Sequence, residues 1–484
     1  NDFRAALNGV PVKVLKRLPA SYLTTIKLGL KSSEAEPTAA RDGAALPDAD
    51  VRRIIEAAKA IDESEQWEGD LFRMVVVLAA ILANTYATPS TSRLLTRSRL
   101  GYQLPAGHDA LPSFVYPFTR WDGIWYAFNS RMPKLDLGRD FERFGSPSDT
   151  LWPLLPWVMR LGHLLTGIPP ELVGLLFVNL CFAGALIAVY ALVADAFGIP
   201  LARRTLWCLA LVPVSFFYHA LYTEAPFLLF AALCLLASRK GWWPLAGIAA
   251  LLAALTRSHG LVLLFPMAVL FVQQARPVRW RQLALAPLLL LPLLAPVIDL
   301  RISGTGNTRY LVDFHAQRAL LQTQKSPWQA IACAFRGCDY QMQVNGNTMG
   351  KWAPGTRWHW VVQVIEDPSL SRISSAAWRH DVALSGSLGL VATIVVLLLT
   401  AIGLVKLPLW LNAYTVPLVL LALIRLPAVM PFDMMPRFAL LLFPLAIVLA
   451  MLLEDTVTRI LLGSASLIML VGLMMQFANW YWVS

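Results

Sequence analysis

Apolar segments of membrane-crossing length recur along most of this chain, and no other feature restricts its fold as tightly. A helix needs roughly 20 mostly apolar residues to cross a bilayer, because every backbone amide and carbonyl must be paired within the segment. Runs of that character lie near 72–88, 172–197, 204–220, 225–238, 242–256, 260–275, 282–302, 384–404, 407–425, 437–453 and 460–481, about eleven in all. With 57% hydrophobic and 15% charged residues over 484 positions, and a mean hydropathy of +0.56, the composition excludes an ordinary water-soluble enzyme. The expected fold is an all-α polytopic membrane bundle with an external layer of amphipathic and loop segments.

The loops between these runs sort by charge. If the N-terminus is cytoplasmic, the inside loops carry Arg203-Arg204, Arg239-Lys240, Arg276 to Arg281, Lys406 and Arg459, all short and basic, as the positive-inside rule requires. The other side receives the long loop around Asp122, the Tyr222-Thr223-Glu224 corner, Thr256 to Gly260, the segment 303–383, and Asp433 to Arg437. Every unusual polar cluster therefore falls on one face. The net charge of +11 resides mostly in loops flanking the runs and in an N-terminal arm, a distribution that suits anionic lipid head groups and not nucleic acid.

Four regions follow. Residues 1–70 form a basic arm (Arg4, Lys13, Lys16, Arg17, Lys27, Lys31), an Ala/Ser/Glu-rich linker and a short helix. The arm reads equally as a membrane-surface segment or as a solvated arm open to a protein partner. Residues 71–302 form an N-terminal transmembrane module with a first external loop at 89–170, residues 303–383 an external loop subdomain, and residues 384–484 the C-terminal transmembrane helices. At about eighty residues, 303–383 is long for a structureless connector, and is expected to be partly amphipathic helix.

Cys181, Cys208 and Cys234 fall inside apolar runs as packing residues, whereas Cys333 and Cys338 flank Ala-Phe-Arg-Gly in the external segment and are a candidate disulfide. The histidines His219, His259, His315, His359 and His380 are scattered over separate elements, so neither a metal nor any other cofactor is expected.

Chemistry must then come from the external polar clusters. Arg120-Trp121-Asp122-Gly123-Ile124-Trp125-Tyr126 wraps a carboxylate in aromatic rings just after the first apolar run. Aromatic faces stack on the C–H surface of a pyranose, and a carboxylate among them can accept the proton of an attacking hydroxyl. The motif alone leaves a second role open, an interfacial ion pair of Asp122 with Arg120 or Arg131. Ser148 to Pro156 adds an acid against an aromatic and proline segment, and Glu224 sits at the outer mouth of a helix pair. Arg257 and Arg437 run against the positive-inside bias, and a planar fork of donors there fits a phosphate, an internal pair with Glu224 or Asp433, or a side chain snorkelling to the interface.

Trp121-Asp122-Gly123-Ile124-Trp125-Tyr126, Leu151 to Pro156, Tyr222-Thr223-Glu224-Ala225-Pro226-Phe227, Leu255-Thr256-Arg257-Ser258-His259-Gly260 and Met435-Pro436-Arg437-Phe438 occur in this order. Over residues 115–450 the chain thereby resembles the PIG-V type of GPI mannosyltransferase and its bacterial relatives, within the GT-C superfamily of membrane glycosyltransferases. The resemblance implies an enzyme that takes a sugar, typically mannose, from a polyprenyl or dolichyl phosphate carrier on the lumenal or periplasmic side. It places the catalytic acid of the first external loop at Asp122. Arg257 and Arg437 are then the expected phosphate ligands, Glu224 and His259 pocket-shaping or acceptor-orienting residues, and Trp121, Trp125, Tyr126 and Tyr222 substrate contacts. Arg120 departs from the family, which commonly has histidine or another residue before Trp-Asp. The Ala/Leu/Arg-rich composition favours a bacterial inner membrane over the endoplasmic reticulum. A transporter and a catalytically silent scaffold are the rival classes. The first typically carries midplane charges and an inverted hydropathy repeat, neither of which is visible here, and the second is favoured only by the N-terminal arm.

Overall fold

The computed structural model describes residues 111–112, 115–131, 153–274, 285–303, 338–344, 347–352, 377–424, 434–478 and 483. The apolar run at 72–88, the region 1–70, the acidic cluster at Ser148–Leu151, the basic loop Arg276–Arg281, Cys333, Asp433 and the side chain of Cys338 lie outside these residues.

Thirteen α-helices are described: α1 (Asp122–Arg131), α2 (Leu154–Thr166), α3 (Pro170–Phe197), α4 (Ile199–Ala210), α5 (Glu224–Arg239), α6 (Trp243–Thr256), α7 (Leu264–Gln274), α8 (Leu294–Ser303), α9 (Ala377–Lys406), α10 (Leu409–Ile424), α11 (Met435–Ala439), α12 (Phe443–Leu452) and α13 (Thr456–Ala478). Their starts follow local chemistry. Proline stands in the first turn of α3, α4, α6, α11 and α12, where its missing N–H costs nothing and its fixed φ already suits the helix. Helix α2 stops at Gly167, whose φ of 72° turns the chain and lets its N–H close on the His163 carbonyl.

α5 packs between α3 and α6, α4 fills the gap between α3 and α12, and α7 packs on α10. Outward faces are dressed for lipid: Leu180 and Ile187 on α3, Val405 on α9 and Ile468 on α13 are 63, 71, 87 and 74% exposed. This is a membrane protein.

The count of about eleven crossing helices is not established. Among the described residues three helices are long and apolar enough to cross, Pro170–Phe197, Leu388–Lys406 and Thr456–Ala478, beside five shorter apolar ones. Among the described residues, 3-10 turns and prolines cut several of the other runs. The 204–220 run gives way after α4 to a 3-10 turn at Ser215–Tyr218, 282–302 divides into a 3-10 stretch at Ala286–Leu293 and α8, and 437–453 divides between α11 and α12. Hydropathy averages over a window and cannot register a break that keeps its residues apolar. Such breaks are tolerated where protein surrounds them, and Ser215, Phe216, Phe217 and Tyr218 are at most 1% exposed.

The bundle is helical, consistent with the all-α expectation, and the external segment 303–383 adds one hairpin. Cys338–Val344 (β1) and Asn347–Trp352 (β2) pair antiparallel, with Val344 opposite Asn347. Asn345-Gly346 lies between them, the dipeptide most favoured in two-residue hairpin loops.

The helix ends form two groups. At one end, Asp195 accepts hydrogen bonds from Arg239 at 2.8 Å and Lys240 at 2.5 Å, Gln274 Nε2 donates to the Ser238 carbonyl at 2.7 Å, and the Arg239 guanidinium lies 5.1 Å from the Trp410 ring centroid. Asp122, Glu171, Glu224, Arg257 and Arg437 gather at the other.

Candidate active site

The site begins with a residue in an unfavourable conformation. Trp121 has φ of 54°, the left-handed region that costs an L-residue roughly 1–2 kcal/mol. The Tyr222 hydroxyl clamps this turn: Oη donates to the Arg120 carbonyl at 3.1 Å and accepts from the Asp122 N–H at 3.2 Å. A backbone bond from Leu221 N–H to the Phe118 carbonyl at 2.8 Å braces the same crossing. The turn launches α1 with Asp122 in its first position, where the helix dipole favours a carboxylate. Tyr222→Phe is therefore expected to lower stability by about 1–3 kcal/mol, read as a lower melting temperature of the detergent-purified protein. An unchanged melting temperature would show that the turn holds without the clamp.

Asp122 pairs with neither Arg120 nor Arg131. Arg131 makes a two-pronged bridge to Glu171 at 2.6 and 2.7 Å, and the Arg120 guanidinium lies over the Tyr116 ring at 5.9 Å. The partner of Asp122 is Arg437, whose Nη1 donates to Oδ2 at 2.5 Å across 315 positions of sequence. Arg437 Nε donates in turn to Glu224 Oε1, the same oxygen that accepts from Arg257 Nη1 at 2.5 Å. The result is a chain of alternating charge, Asp122–Arg437–Glu224–Arg257, whose formal sum is zero. Glu224 is fully buried and Arg437 nearly so, while Arg257 and Asp122 have side chains 18% and 29% exposed.

Each member is held by its element. Thr223 Oγ1 accepts from Arg257 Nη1 at 3.2 Å and lies 3.4 Å from Tyr126 Oη. Burial pushes the Tyr126 phenol up to about 12, so it stays protonated at neutral pH. The Arg437 guanidinium lies 4.4 Å from the Tyr222 ring centroid and 5.4 Å from that of Phe217, a cation–π seat on both rings. The break between α11 and α12 is capped by two tyrosines, with Tyr218 Oη donating to the Leu440 carbonyl at 2.6 Å and Tyr414 Oη to that of Leu441 at 2.7 Å.

Arg257 is extended between α6 and the 3-10 turn Ser258–Leu263. Gly260 makes this reversal possible, since a Cβ there would lie far inside contact distance of the Ala254 nitrogen and the Ala253 carbonyl carbon. Backbone cannot step aside as a side chain can. Gly260→Ala is expected to cost about 1–3 kcal/mol and to displace Arg257, both visible as a lower melting temperature with reduced turnover; a variant with wild-type melting would contradict the packing. His259 is 5% exposed and meets the Phe438 ring edge-on at 5.0 Å, joining this turn to α11.

The structure thus brings together Asp122, Tyr126, Tyr222, Glu224, Arg257, His259 and Arg437 at one end of the bundle. Tyr126 and Tyr222, expected as substrate contacts, are 3% and 1% exposed and spend their hydroxyls on protein. Trp121 stands at the turn itself, and the side chain of Trp125 lies outside the described residues. Reading by residue missed Glu171, a fully buried carboxylate in the first turn of α3; an acid opening the longest apolar run was the available signal. Among the described residues no group of three His, Cys, Asp or Glu side chains could hold a metal ion.

Residues 147–299 match a protein family described as dolichyl-phosphate-mannose-protein mannosyltransferase. The matched stretch contains Glu224 and Arg257; Asp122 and Arg437 fall on either side of it. The match supports the broad GT-C class of membrane glycosyltransferases and does not single out the PIG-V branch. Comparison with curated proteins finds no match.

Proposed function

We propose that this protein transfers a hexose, most simply mannose, from a polyprenyl- or dolichyl-phosphate carrier to an acceptor hydroxyl, with inversion at the anomeric carbon. The observation that carries the reading is the convergence of Asp122, Glu224, Arg257 and Arg437, drawn from four separate segments, at one end of a membrane bundle whose residues 147–299 match a family described as dolichyl-phosphate-mannose-protein mannosyltransferase.

The chemistry asks for two things, a base for the incoming hydroxyl and positive charge for the departing phosphate. Asp122 uses Oδ2 on Arg437; among the described residues its Oδ1 has no hydrogen-bond partner, and the side chain reaches solvent. Oδ1 takes the acceptor proton as the acceptor oxygen attacks C1 of the sugar. The C1–O bond breaks with its electron pair moving to the carrier phosphate, which leaves as an anion against Arg257. Of the arginines, Arg257 donates to protein only through Nη1 among the described residues, so Nε and Nη2 are left for that phosphate. The departing carrier phosphate, a monoester once C1–O has broken, is already a good leaving group, so positioning and charge supply most of what the protein must add.

The site end would face the periplasm or lumen, with Arg239 and Lys240 on the cytoplasmic side, in keeping with the positive-inside rule. A bacterial inner membrane fits better than the endoplasmic reticulum. Membranes containing the protein, given polyprenyl phosphates labelled in mannose, glucose or galactose, are expected to release label from the mannose carrier first. Release from none of the three would contradict the reading.

A further inference from the structure

Two features of the charged chain are not explained by binding a phosphate. The first is the unequal commitment of its arginines. Arg437 has two arms on two different carboxylates, Nε on Glu224 and Nη1 on Asp122, and its side chain is 9% exposed, whereas Arg257 has one nitrogen on protein and is 18% exposed. The second is Glu224. Its side chain is fully buried, and Oε2 has no hydrogen-bond partner among the described residues, while both guanidiniums crowd onto Oε1. Burying an ionised group with one oxygen unsatisfied is costly, and a buried ion pair is a poor way to stabilise a fold. An arrangement kept at such a cost does something other than hold the helices together.

We infer that Glu224 is a positioning residue that acts through Arg437 on Asp122. Glu224 fixes one arm of a rigid planar fork, and the fork's other arm then fixes Oδ2 of Asp122. That bond restricts the rotation of the carboxylate plane and leaves the second oxygen, Oδ1, for the acceptor. The Arg437 plane is held from beneath by the Tyr222 ring, and the Tyr222 hydroxyl holds the backbone of Asp122. Side chain and backbone of the base are thus located by the same pair of residues. Arg257 anchors the near end of the chain, and with one nitrogen on protein among the described residues, against two for Arg437, it keeps more donors for a ligand.

This inference rests on Asp122 being the base, and the test separates the two claims. Steady-state transfer from labelled polyprenyl-phosphate-mannose by membranes containing the full chain is compared for wild type, Glu224→Gln, Arg437→Lys, Arg257→Gln and Asp122→Asn, with folding followed by melting temperature. Glu224→Gln keeps the shape and the acceptor oxygen but not the charge. It is expected to lower kcat by about 10–100-fold with donor KM within about threefold of wild type, the signature of a misplaced group and not of lost binding. Arg437→Lys, which keeps a cation but cannot span two carboxylates, should show the same pattern and guards against a misfolded Glu224→Gln. Arg257→Gln should do the reverse and raise donor KM about tenfold or more. A raised donor KM with unchanged kcat in Glu224→Gln would make Glu224 a donor contact and overturn the inference. Wild-type kcat in folded Glu224→Gln or Arg437→Lys would overturn it as well, leaving Asp122 as base intact if Asp122→Asn is inactive. Activity retained in Asp122→Asn would remove the base, and the inference with it.

Discussion

Asp122→Asn is expected to reduce sugar transfer by about 10²–10⁴-fold, the range that a positioned general base supplies, while leaving the melting temperature close to wild type. The asparagine keeps the size of the side chain, and its amide oxygen can still accept from Arg437 Nη1, so the Arg437–Glu224–Arg257 part of the chain stands. What disappears is the lone pair on Oδ1 that takes the proton. Donor affinity should change little, because the phosphate is assigned to Arg257. Turnover within a few-fold of wild type would remove Asp122 from the chemistry.

Arg437→Met tests the other large effect. Arg437 is nearly buried, and its removal leaves Glu224 at the centre of the bundle's end with one cation in place of two, and Asp122 with none. Breaking a buried pair by taking one partner typically costs about 3–5 kcal/mol, because the remaining charge stays behind without compensation. The loss should exceed that of Tyr222→Phe, although both lie under the same turn. It should appear as a much lower melting temperature and as inactivity at temperatures where the variant is still folded. A melting temperature within a degree of wild type would show that water or a rearranged Arg257 takes over, and the buried network would then be looser than its geometry implies.

The legible part of this fold is the part that depends on composition along the chain. Apolar runs mark where helices lie, and charged loops mark their ends, since both follow from the cost of exposing backbone or charge to lipid. Where a run is cut by Pro292 or restarted near Pro444, hydropathy reads one segment and the backbone forms two. The hairpin 338–352 carried a local signal at Asn345-Gly346 that a search for amphipathic helices passes over.

The site shows the same division. Arg257 and Arg437 stood out because arginine is out of place on the outer side, and Asp122 because an acid among tryptophans is rare. Which acid meets which arginine depends on helices folding back on one another, and nothing local encodes a contact between residues 122 and 437. The sequence therefore left Asp122 open to Arg120 or Arg131, yet Arg131 is taken by Glu171. Nor does sequence distinguish a tyrosine that faces a sugar from one that braces a turn. Tyr222 has the composition of the first and the geometry of the second.

The most direct test of the central claim is an electron cryo-microscopy map of the full chain in lipid nanodiscs with a non-hydrolysable polyprenyl-phosphate-mannose analogue bound. The account predicts density for the phosphate against Arg257, the sugar at the site end of the bundle, and Asp122 Oδ1 facing the anomeric carbon from the side opposite the phosphate. A well-ordered cluster with the donor density elsewhere, or with Asp122 on the phosphate side of the sugar, would contradict it.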